Sequence, residues 1–325
     1  MSQNFSEIKK AIDGDLQQFN SYYRETLRSD RKIMDDIVDY LIQLQGKQIR
    51  PLLVILSCGM HGEITQMAYT AATVIELTHM ASLIHDDVVD EAYMRRSKWS
   101  FNALWRSRKA VLIGDYVFSK AFREAARSKM YGVIDDIADV IESMSIGELY
   151  QSDAAMKLDI TEEDYYEVIR CKTATLMGSC MYTGALAAGA GEEECEKIRK
   201  IGTELGIVFQ IKDDILDYSL DKKTGKTAGN DIKERKITLP LICALEKATK
   251  KERKEVISVI EKISRHPEGA DIICKFVKDK DGIALAEEKM MSRRREIEES
   301  LMNYGKSKYR DTMIALTRYI CEREE

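Results

Sequence analysis

The chain has 325 residues, of which 44% are hydrophobic and 32% are charged, and its formal net charge is -5. A chain of this length can bury one sizeable core, and its acidic balance argues against a nucleic-acid partner. The 7 cysteines form no CxxC pair, which is typical of reduced thiols in a cytoplasmic protein. Neither a signal peptide nor an apolar run of roughly 18 residues is recognisable, so a transmembrane protein is not expected.

Apolar residues recur at intervals of three and four along most of the chain, and only 3 prolines interrupt them. This pattern predicts an all-α fold in a single domain that covers residues 1–325. In chain order, the predicted helices are Ile8–Leu27, Lys32–Gln45, Leu52–Cys58, Thr65–Val89, Asn102–Arg127, Tyr131–Ser152, Glu162–Ala190, Glu192–Tyr218, Leu239–Ala248, Lys251–Ile263, Asp271–Val277, Ile283–Tyr304 and Lys308–Glu322. The polar, glycine-bearing stretch Asp221–Lys236 is predicted to be a loop.

Two segments in opposite halves of the chain carry three aspartates in the same DDxxD spacing, and each follows an apolar helix. Residues i and i+4 share a helix face, so the first and last aspartates of each motif lie one turn apart with the second beside them. Mg²⁺ relieves the repulsion within such a cluster, because it prefers oxygen ligands and is held by carboxylates together with substrate phosphates. The sequence therefore predicts Mg²⁺ ligands at Asp86, Asp87, Asp90, Asp213, Asp214 and Asp217.

The same spacing occurs a third time, at Asp135, Asp136 and Asp139, where no basic residues follow. We interpret this third motif, like the pair Asp35-Asp36, as surface charge. The bare DDxxD pattern is therefore weak evidence, and the setting of each copy decides its interpretation.

Basic residues suited to a diphosphate lie near the helix breaks and the first two aspartate motifs. Arginine binds phosphate oxygens in a bidentate manner, and lysine acts as a mobile point charge. Each of these residues alone is more often a solvated surface charge, but together they favour a diphosphate site. The candidates are Lys47, Arg50, Arg95, Arg96, Lys172, Lys226 and Lys236.

These elements together resemble the trans-polyprenyl diphosphate synthase family, which includes the farnesyl and geranylgeranyl diphosphate synthases. The motifs that carry the resemblance are Gly46–Pro51, His85–Asp90 with Arg95-Arg96, Gly114–Tyr116, Gly147–Gln151, Lys172-Thr173, Phe209–Asp217 and Gly225–Pro240. Ser97 and Trp99 lie where the family usually has Gly and Pro, and Arg235 lies where Gly is frequent. These departures touch no candidate metal ligand.

The resemblance implies an isoprenoid-synthase-type bundle of long helices around a deep central cavity, with the two motifs facing each other across its mouth. It also implies a homodimer and a Mg²⁺-dependent, head-to-tail condensation of isopentenyl diphosphate with an allylic diphosphate. Three Mg²⁺ ions are expected in the substrate-bound state, and product release could bring transient contact with a membrane surface.

The resemblance also assigns roles to the basic and polar candidates. The allylic diphosphate would bind through Mg²⁺ to Asp86, Asp90 and Asp213, with Asp87, Asp214 and Asp217 in support. Arg95, Lys172 and Lys226 would neutralise its remaining charge, and Lys236 would also bind substrate. Isopentenyl diphosphate would be bound by Lys47, Arg50, His79 and Arg96. Thr173 and Gln210 would line the path of the allylic cation. For His79 the alternative is an ordinary core histidine, whereas His85 is interpreted as structural, and Glu148 and Gln151 as supporting residues.

Two small residues, Ala81 and Ser82, lie one turn before Asp86, where bulky aromatic residues in the family stop chain growth. Their size predicts a product in the hexaprenyl to octaprenyl range, with a floor formed deeper by Tyr116, Phe118, Phe122 or Met144. The alternatives are a farnesyl or geranylgeranyl diphosphate synthase and a non-catalytic partner subunit. A class I terpene cyclase is disfavoured, because its second metal motif normally differs from DDxxD.

Overall fold

Helices make up nearly all of the regular structure in the computed structural model, which describes residues 5–95, 98–158, 160–218 and 229–324. The predicted all-α class is therefore confirmed. The helices are α1 Phe5–Lys10, α2 Asp13–Leu27, α3 Asp35–Gln43, α4 Ile49–His61, α5 Gln66–Val89, α6 Phe101–Arg127, α7 Tyr131–Lys157, α8 Glu162–Ile169, α9 Thr175–Ala187, α10 Glu192–Asp217, α11 Asn230–Lys233, α12 Leu239–Glu246, α13 Lys250–Glu261, α14 Gly269–Asp279, α15 Gly282–Met302 and α16 Lys308–Glu322. No helix in these ranges is long and apolar enough to cross a membrane.

Helix α5 lies at the centre of the bundle and packs against α4, α6 and α9. Its buried residues, which include Ala71, Ile75 and Leu77, occur on most of its sides, as expected for a helix surrounded by others. Thr65 caps its start, because its hydroxyl accepts a hydrogen bond from the Met67 N–H at 3.3 Å. Helix α10 is the second long central element and packs against α9, α15 and α16.

Both central helices end at an aspartate motif. Helix α5 ends at Val89, with Asp90 as its C-cap, and α10 ends at Asp217. The C-terminal end of a helix carries a partial negative charge, so carboxylates there are unfavourable unless a cation balances them. Both motifs therefore lie at helix ends, where a bound cation would offset the negative charge of the carboxylates and of the helix terminus.

The predicted single helix Glu162–Ala190 is wrong, because a π-helical turn at Arg170–Ala174 separates α8 from α9. π-Helical turns are rare and occur frequently at functional sites. Helix α10 passes so close to this turn that a Cβ at Gly206 would lie 2.5 Å from the Cα atom of Ala174. The turn carries Lys172 and Thr173, so this irregularity determines the position of two candidate site residues.

Two further details were not predicted. Part of the predicted loop Asp221–Lys236 forms the short helix α11, although positions 221–228 lie outside the described residues. After the first motif, β1 (Met94–Arg95) and β2 (Lys98–Trp99) pair antiparallel, with Met94 opposite Trp99. This hairpin carries Arg95 back towards the end of α5.

The third DDxxD copy is only partly a surface feature. Asp135 and Asp139 are exposed, but Asp136 is buried, pairs with Arg199 and accepts a hydrogen bond from Ser179. The interpretation of Asp136 as surface charge was therefore wrong. Periodicity did not show it because the basic partner lies on a different helix, far away in the sequence.

The Asp136–Arg199 pair gives a stability prediction. Replacing Asp136 with Ala is expected to lower the free energy of unfolding by about 2 kcal/mol, because Arg199, only 25% exposed, loses its buried partner and keeps only the more exposed Glu196. Urea unfolding monitored by circular dichroism measures this. The matched control is Asp135→Ala on the exposed side of the same helix, for which a change within about 0.5 kcal/mol is expected. Equal losses in the two variants would contradict a stabilising buried pair.

Candidate active site

Two cavities are both lined by residues of the π-helical turn, since Lys172 and Thr173 lie on the walls of each. The cavity beside the end of α5, the first-motif cavity, has a volume of about 350 Å³. Its wall includes Arg50, His79, Ser82, His85, Asp86, Phe118, Met144 and Glu148. The cavity beside the end of α10, the second-motif cavity, has a volume of about 240 Å³. Its wall includes Gln151, Tyr165, Gln210, Asp214, Asp231, Lys236 and Thr238.

In the first motif, Asp86 faces the cavity, whereas Asp87 is engaged inside the protein. Burial and the nearby Glu148 carboxylate raise the pKa of Asp86 to about 6, against the opposing effect of Lys172. Asp87 is buried and accepts a hydrogen bond from Arg95 Nε at 2.7 Å. Asp90 is exposed at the helix end. The predicted Arg95 is therefore a partner of the motif itself.

In the second motif, Asp213 is 41% exposed, whereas Asp214 is buried. Asp214 accepts hydrogen bonds from Tyr165 Oη at 2.6 Å and from Gln210 Nε2 at 2.9 Å. Its pKa is raised well above the ordinary value, chiefly by burial. Asp217 accepts the backbone N–H groups of Asn230 at 3.2 Å and Asp231 at 3.0 Å, and so anchors the start of α11.

The two motifs thus share one arrangement, in which the middle aspartate is buried and hydrogen-bonded by the protein. Asp87 and Asp214 each have a donor close by, Arg95 in one case and Tyr165 in the other. A buried carboxylate with a donor is stable without a metal. The outer residues Asp86, Asp90 and Asp213 have the better access to a ligand.

Lys172 is held in position by two side chains from α7. Its Nζ donates to Gln151 Oε1 at 2.6 Å and pairs with Glu148 Oε2 at 2.6 Å. The interpretation of Glu148 and Gln151 as supporting residues agrees with this geometry. The positive charge of Lys172 acts on Asp86 across the cavity.

Lys236 lies between the two motifs. It pairs with Glu234, and the negative charges of Glu234, Asp231 and Asp90 raise its pKa despite burial. Asp231 is itself a buried carboxyl group, and burial and the neighbouring Asp217 raise its pKa to about 6. Lys236 therefore interacts electrostatically with carboxylates from both halves of the site.

The candidates for the second diphosphate lie around the start of α4. Lys47 Nζ donates to Tyr319 Oη at 3.2 Å, and Arg50 and His79 lie on the wall of the first-motif cavity. His79 is buried, and it lines the same cavity as Asp86. Arg96 and Lys226 lie outside the described residues.

A chain of hydrogen bonds connects the π-helical turn to the second motif. Thr173 Oγ1 donates to Gln210 Oε1 at 2.9 Å, and the amide of Gln210 in turn donates to Asp214. Because Tyr165 also donates to Asp214, this carboxylate fixes the orientation of the amide. The oxygen dipoles of Thr173 and Gln210 are consequently pre-oriented at the wall of the second-motif cavity.

The two small residues predicted to set product length differ in their surroundings. Ser82 lies on the wall of the first-motif cavity, whereas Ala81 is fully buried. Of the four residues suggested for the floor, Phe118 and Met144 are part of this wall.

With this geometry in place, comparison with known proteins decides the family. The family model described as Polyprenyl synthetase matches residues 31–277. The chain belongs to the polyprenyl synthetase family. Its enzymatic class, prenyltransferase, is confirmed with it.

Curated relatives and solved structures of the polyprenyl synthetase family agree. Octaprenyl diphosphate synthase of Haemophilus influenzae is 30% identical over 314 residues, which is 96% of this chain and 95% of that protein. Octaprenyl diphosphate synthase of Escherichia coli is 34% identical over 259 residues, 79% of this chain and 80% of the relative. The structure of a decaprenyl diphosphate synthase from Rhodobacter capsulatus matches with a TM-score of 0.90 at 28% identity, covering 99% of this chain and 100% of that one.

A polyprenyl synthase from Caulobacter crescentus, solved in complex with calcium and isoprenyl diphosphate, has a TM-score of 0.89 at 25% identity. The match covers 100% of this chain and 99% of that one. The polyprenyl synthetase family is magnesium-dependent. The residues of the site fit a hard divalent cation, since Asp86 and Asp213 are oxygen donors near the ends of helices, Asp86 on the wall of a cavity and Asp213 partly exposed to solvent.

Within the described ranges, no group of three or more His, Cys, Asp or Glu side chains is arranged to hold a metal by itself. Mg²⁺ sites that use one or two carboxylates plus phosphate oxygens need no such group. The donor set therefore suits a metal that is bound jointly by the protein and a diphosphate.

Several residues that border or contact this site were not predicted from the sequence. Asp231 ends the motif that begins at Gly225, and its place within that motif was the available signal. Tyr165 and Arg323, the partners of Asp214 and Asp213, gave no signal because they lie in distant parts of the chain. His85 was interpreted as structural, yet it borders the first-motif cavity, with its ring against Gly114.

Proposed function

We propose that this member of the polyprenyl synthetase family elongates an allylic diphosphate with isopentenyl diphosphate to a medium- or long-chain product, from hexaprenyl to octaprenyl. One observation carries the proposal. The two cavities, each beside one aspartate motif, have Lys172 and Thr173 in common in their walls, so we infer that two diphosphates and a growing chain meet beside this pair. The names of the relatives, among them octaprenyl diphosphate synthases, support the same product range.

In this proposal the allylic diphosphate binds between the ends of α5 and α10. Asp86, Asp90 and Asp213 would hold the Mg²⁺ ions, three in number once both substrates are bound, and Asp217 would contribute from the end of α10. Asp87 and Asp214 hold the motifs in shape from inside. Around the diphosphate, the remaining negative charge is balanced by the cations Arg95, Lys172, Lys226 and Lys236.

Isopentenyl diphosphate is assigned to the other side of the first-motif cavity. Lys47 and Arg50 come from the turn before α4 and its first residues, and His79 comes from the middle of α5. Arg96 is assigned to the same group from the sequence alone. Arginine can bind two phosphate oxygens at once, which fixes the direction in which the double bond points. The substrate is thereby held with its reactive end towards Thr173.

When bound, Mg²⁺ would polarise the diphosphate oxygens and lower the cost of their departure as pyrophosphate. Lys172, fixed by Glu148 and Gln151, stays beside the leaving group and stabilises its charge at no cost in reorganisation. The oxygens of Thr173 and Gln210 face the allylic carbon as positive charge develops there. The double bond of isopentenyl diphosphate then attacks that carbon, and the departing pyrophosphate accepts the proton that is lost.

Product length tests the proposal directly. The purified protein is incubated with radiolabelled isopentenyl diphosphate, Mg²⁺ and either geranyl, farnesyl or geranylgeranyl diphosphate as primer. Reversed-phase chromatography of the dephosphorylated products is expected to show hexaprenyl to octaprenyl alcohols as the main species. A dominant farnesyl or geranylgeranyl product would contradict the proposed length.

We also propose a homodimer formed through α6. Val111 and Leu112 are neighbours on the part of α6 that follows the non-helical backbone of Arg106, and they are 39% and 61% exposed. Sedimentation equilibrium is expected to give twice the chain mass of 37.1 kDa, and Leu112→Glu is expected to give a monomer. The control Ile272→Glu, at an exposed apolar site on α14, should stay dimeric. A wild-type monomer would contradict the dimer.

A cytoplasmic location completes the proposal. Its support is that Cys58, Cys171, Cys180, Cys195, Cys243, Cys274 and Cys321 are all free thiols, as is usual in a reducing compartment. The long apolar product would leave through transient contact with a membrane surface, since an all-trans polyprenyl chain has little solubility in water.

A further inference from the structure

The C-terminal end of α16 reaches the second aspartate motif through Arg323, a residue that the proposed chemistry does not use. Its side chain is only 8% exposed. The Nη2 atom donates to Asp213 Oδ1 at 2.7 Å and to the backbone carbonyl of Phe209 at 3.1 Å, and the guanidinium carbon lies 4.2 Å from the centre of the Phe209 ring. Arg323 is therefore docked against α10 by a salt bridge, a hydrogen bond and a cation–π contact.

The same helix end also contacts the other half of the site. Tyr319, one turn before Arg323, accepts a hydrogen bond from Lys47, which is a candidate ligand of isopentenyl diphosphate. The last turn of α16 thus lies between a candidate metal ligand and a candidate diphosphate ligand. A side chain in this turn can therefore change its contacts when metal and diphosphate bind together.

We propose that Arg323 is a built-in competitor of the divalent cation at Asp213, an inference that rests on the proposed metal role of that carboxylate. A guanidinium at 2.7 Å already balances the charge that would attract the metal. A metal bound to Asp213 would lie a few ångströms from this fixed positive charge unless the salt bridge opens. The second motif therefore binds the metal weakly as long as no diphosphate is present.

A diphosphate changes this balance in two ways. It adds several negative charges and oxygen ligands for the metal, and it offers the guanidinium a new bidentate partner. Metal and diphosphate then enter the second motif together, and metal alone does not fill it. Without this coupling, a cation could bind the carboxylates before the substrate arrives, in a position that does not suit the diphosphate. The salt bridge from Arg323 prevents this.

The test is a Mn²⁺ titration of the full-length, substrate-free protein, in which free Mn²⁺ is followed by electron paramagnetic resonance. Arg323→Gln keeps a hydrogen-bond donor but removes the charge, so Mn²⁺ affinity is expected to rise about three- to tenfold. Arg323→Lys keeps the charge and should stay close to the wild type. Arg318→Gln on the same helix, whose partner is Glu298 and not an aspartate of the motif, should leave the affinity unchanged.

Two further Mn²⁺ titrations test the same proposal. Saturating inorganic pyrophosphate should reduce the difference between Arg323→Gln and the wild type. Phe209→Leu, which loosens the guanidinium without removing it, should raise the Mn²⁺ affinity by an intermediate factor, and it serves as the test if Arg323→Gln does not fold. Unchanged or weaker Mn²⁺ binding in Arg323→Gln would overturn the proposal.

Asp213→Asn separates this inference from the function on which it rests. If Asp213→Asn weakens Mn²⁺ binding while Arg323→Gln has no effect, the metal site stands and the competitor role fails. If Asp213→Asn binds Mn²⁺ as the wild type does, the proposed metal role of Asp213 fails as well.

Discussion

Replacing Asp86 with Asn is expected to lower the rate of prenyl transfer about a thousandfold while leaving the protein folded. The amide keeps the size of the side chain but loses the charge that a divalent cation and its diphosphate need. Steady-state pyrophosphate release at pH 8 and saturating substrates measures the loss. The matched control is Asp135→Asn, in the third DDxxD copy, where the aspartate is exposed and wild-type activity is expected.

The Asp86→Asn variant is also expected to have a higher free energy of unfolding than the wild type, which loss of a stabilising aspartate would not produce. Because burial and Glu148 raise the folded-state pKa of Asp86 to about 6, its carboxylate destabilises the metal-free protein above that pH. Asp86→Asn is therefore expected to be more stable than the wild type at pH 7, by about 2 kcal/mol. The difference should shrink to about 0.5 kcal/mol at pH 4, where Asp86 is protonated in the folded chain and about half protonated in the unfolded chain.

Urea unfolding in the presence of a chelator, at pH 4 and pH 7, tests this sign. A large loss of activity combined with a loss of stability at pH 7 would indicate that Asp86 holds the fold together. That outcome would contradict its assignment as a metal ligand.

Replacing Ser82 with Phe is expected to shorten the product from hexaprenyl–octaprenyl to about geranylgeranyl length. Ser82 already faces the first-motif cavity, one turn before Asp86, so a ring at this position projects into the space in which the chain grows. Ala81 is fully buried behind that wall. Ala81→Phe is expected to shorten the product as well, but with a lower melting temperature, because it also adds volume to a packed core.

Chromatography of the products from farnesyl diphosphate measures both effects. Ser145→Ala, which removes one hydroxyl from the opposite wall of the same cavity, serves as a control that should leave the product length unchanged. An unchanged product from Ser82→Phe at full activity would mean that the chain grows along another route.

The sequence predicted the helical class and most helix bounds, since long amphipathic segments such as Glu192–Asp217 have a strong local signal. It also predicted which cavity residues come together, because DDxxD motifs and basic turns are local patterns. It did not predict the π-helical turn, which depends on how closely α10 approaches Ala174 at Gly206. Propensity carries no information about such a contact.

Residue roles that depend on distant partners were also beyond the sequence. Asp87 and Asp214 were expected to support the other metal ligands, but the sequence did not show that both are buried. Nor did it show their hydrogen-bond donors, Arg95 and Tyr165. The pairing of Asp136 with Arg199 and of Asp213 with Arg323 joins residues on different helices. In each case the role of the residue depends on whether its side chain is buried. Sequence periodicity predicts burial for apolar residues, but not for a charged residue whose partner is far away in the sequence.

The central claim is that the two cavities form one site that joins isopentenyl diphosphate to an allylic primer. The most direct test follows pyrophosphate release and isopentenyl diphosphate consumption together, with farnesyl diphosphate as primer and with Mg²⁺ or a chelator present. We predict one pyrophosphate released for each isopentenyl diphosphate consumed, and no release in the chelator. Substrate consumption without pyrophosphate, or no consumption at any Mg²⁺ concentration, would contradict the account.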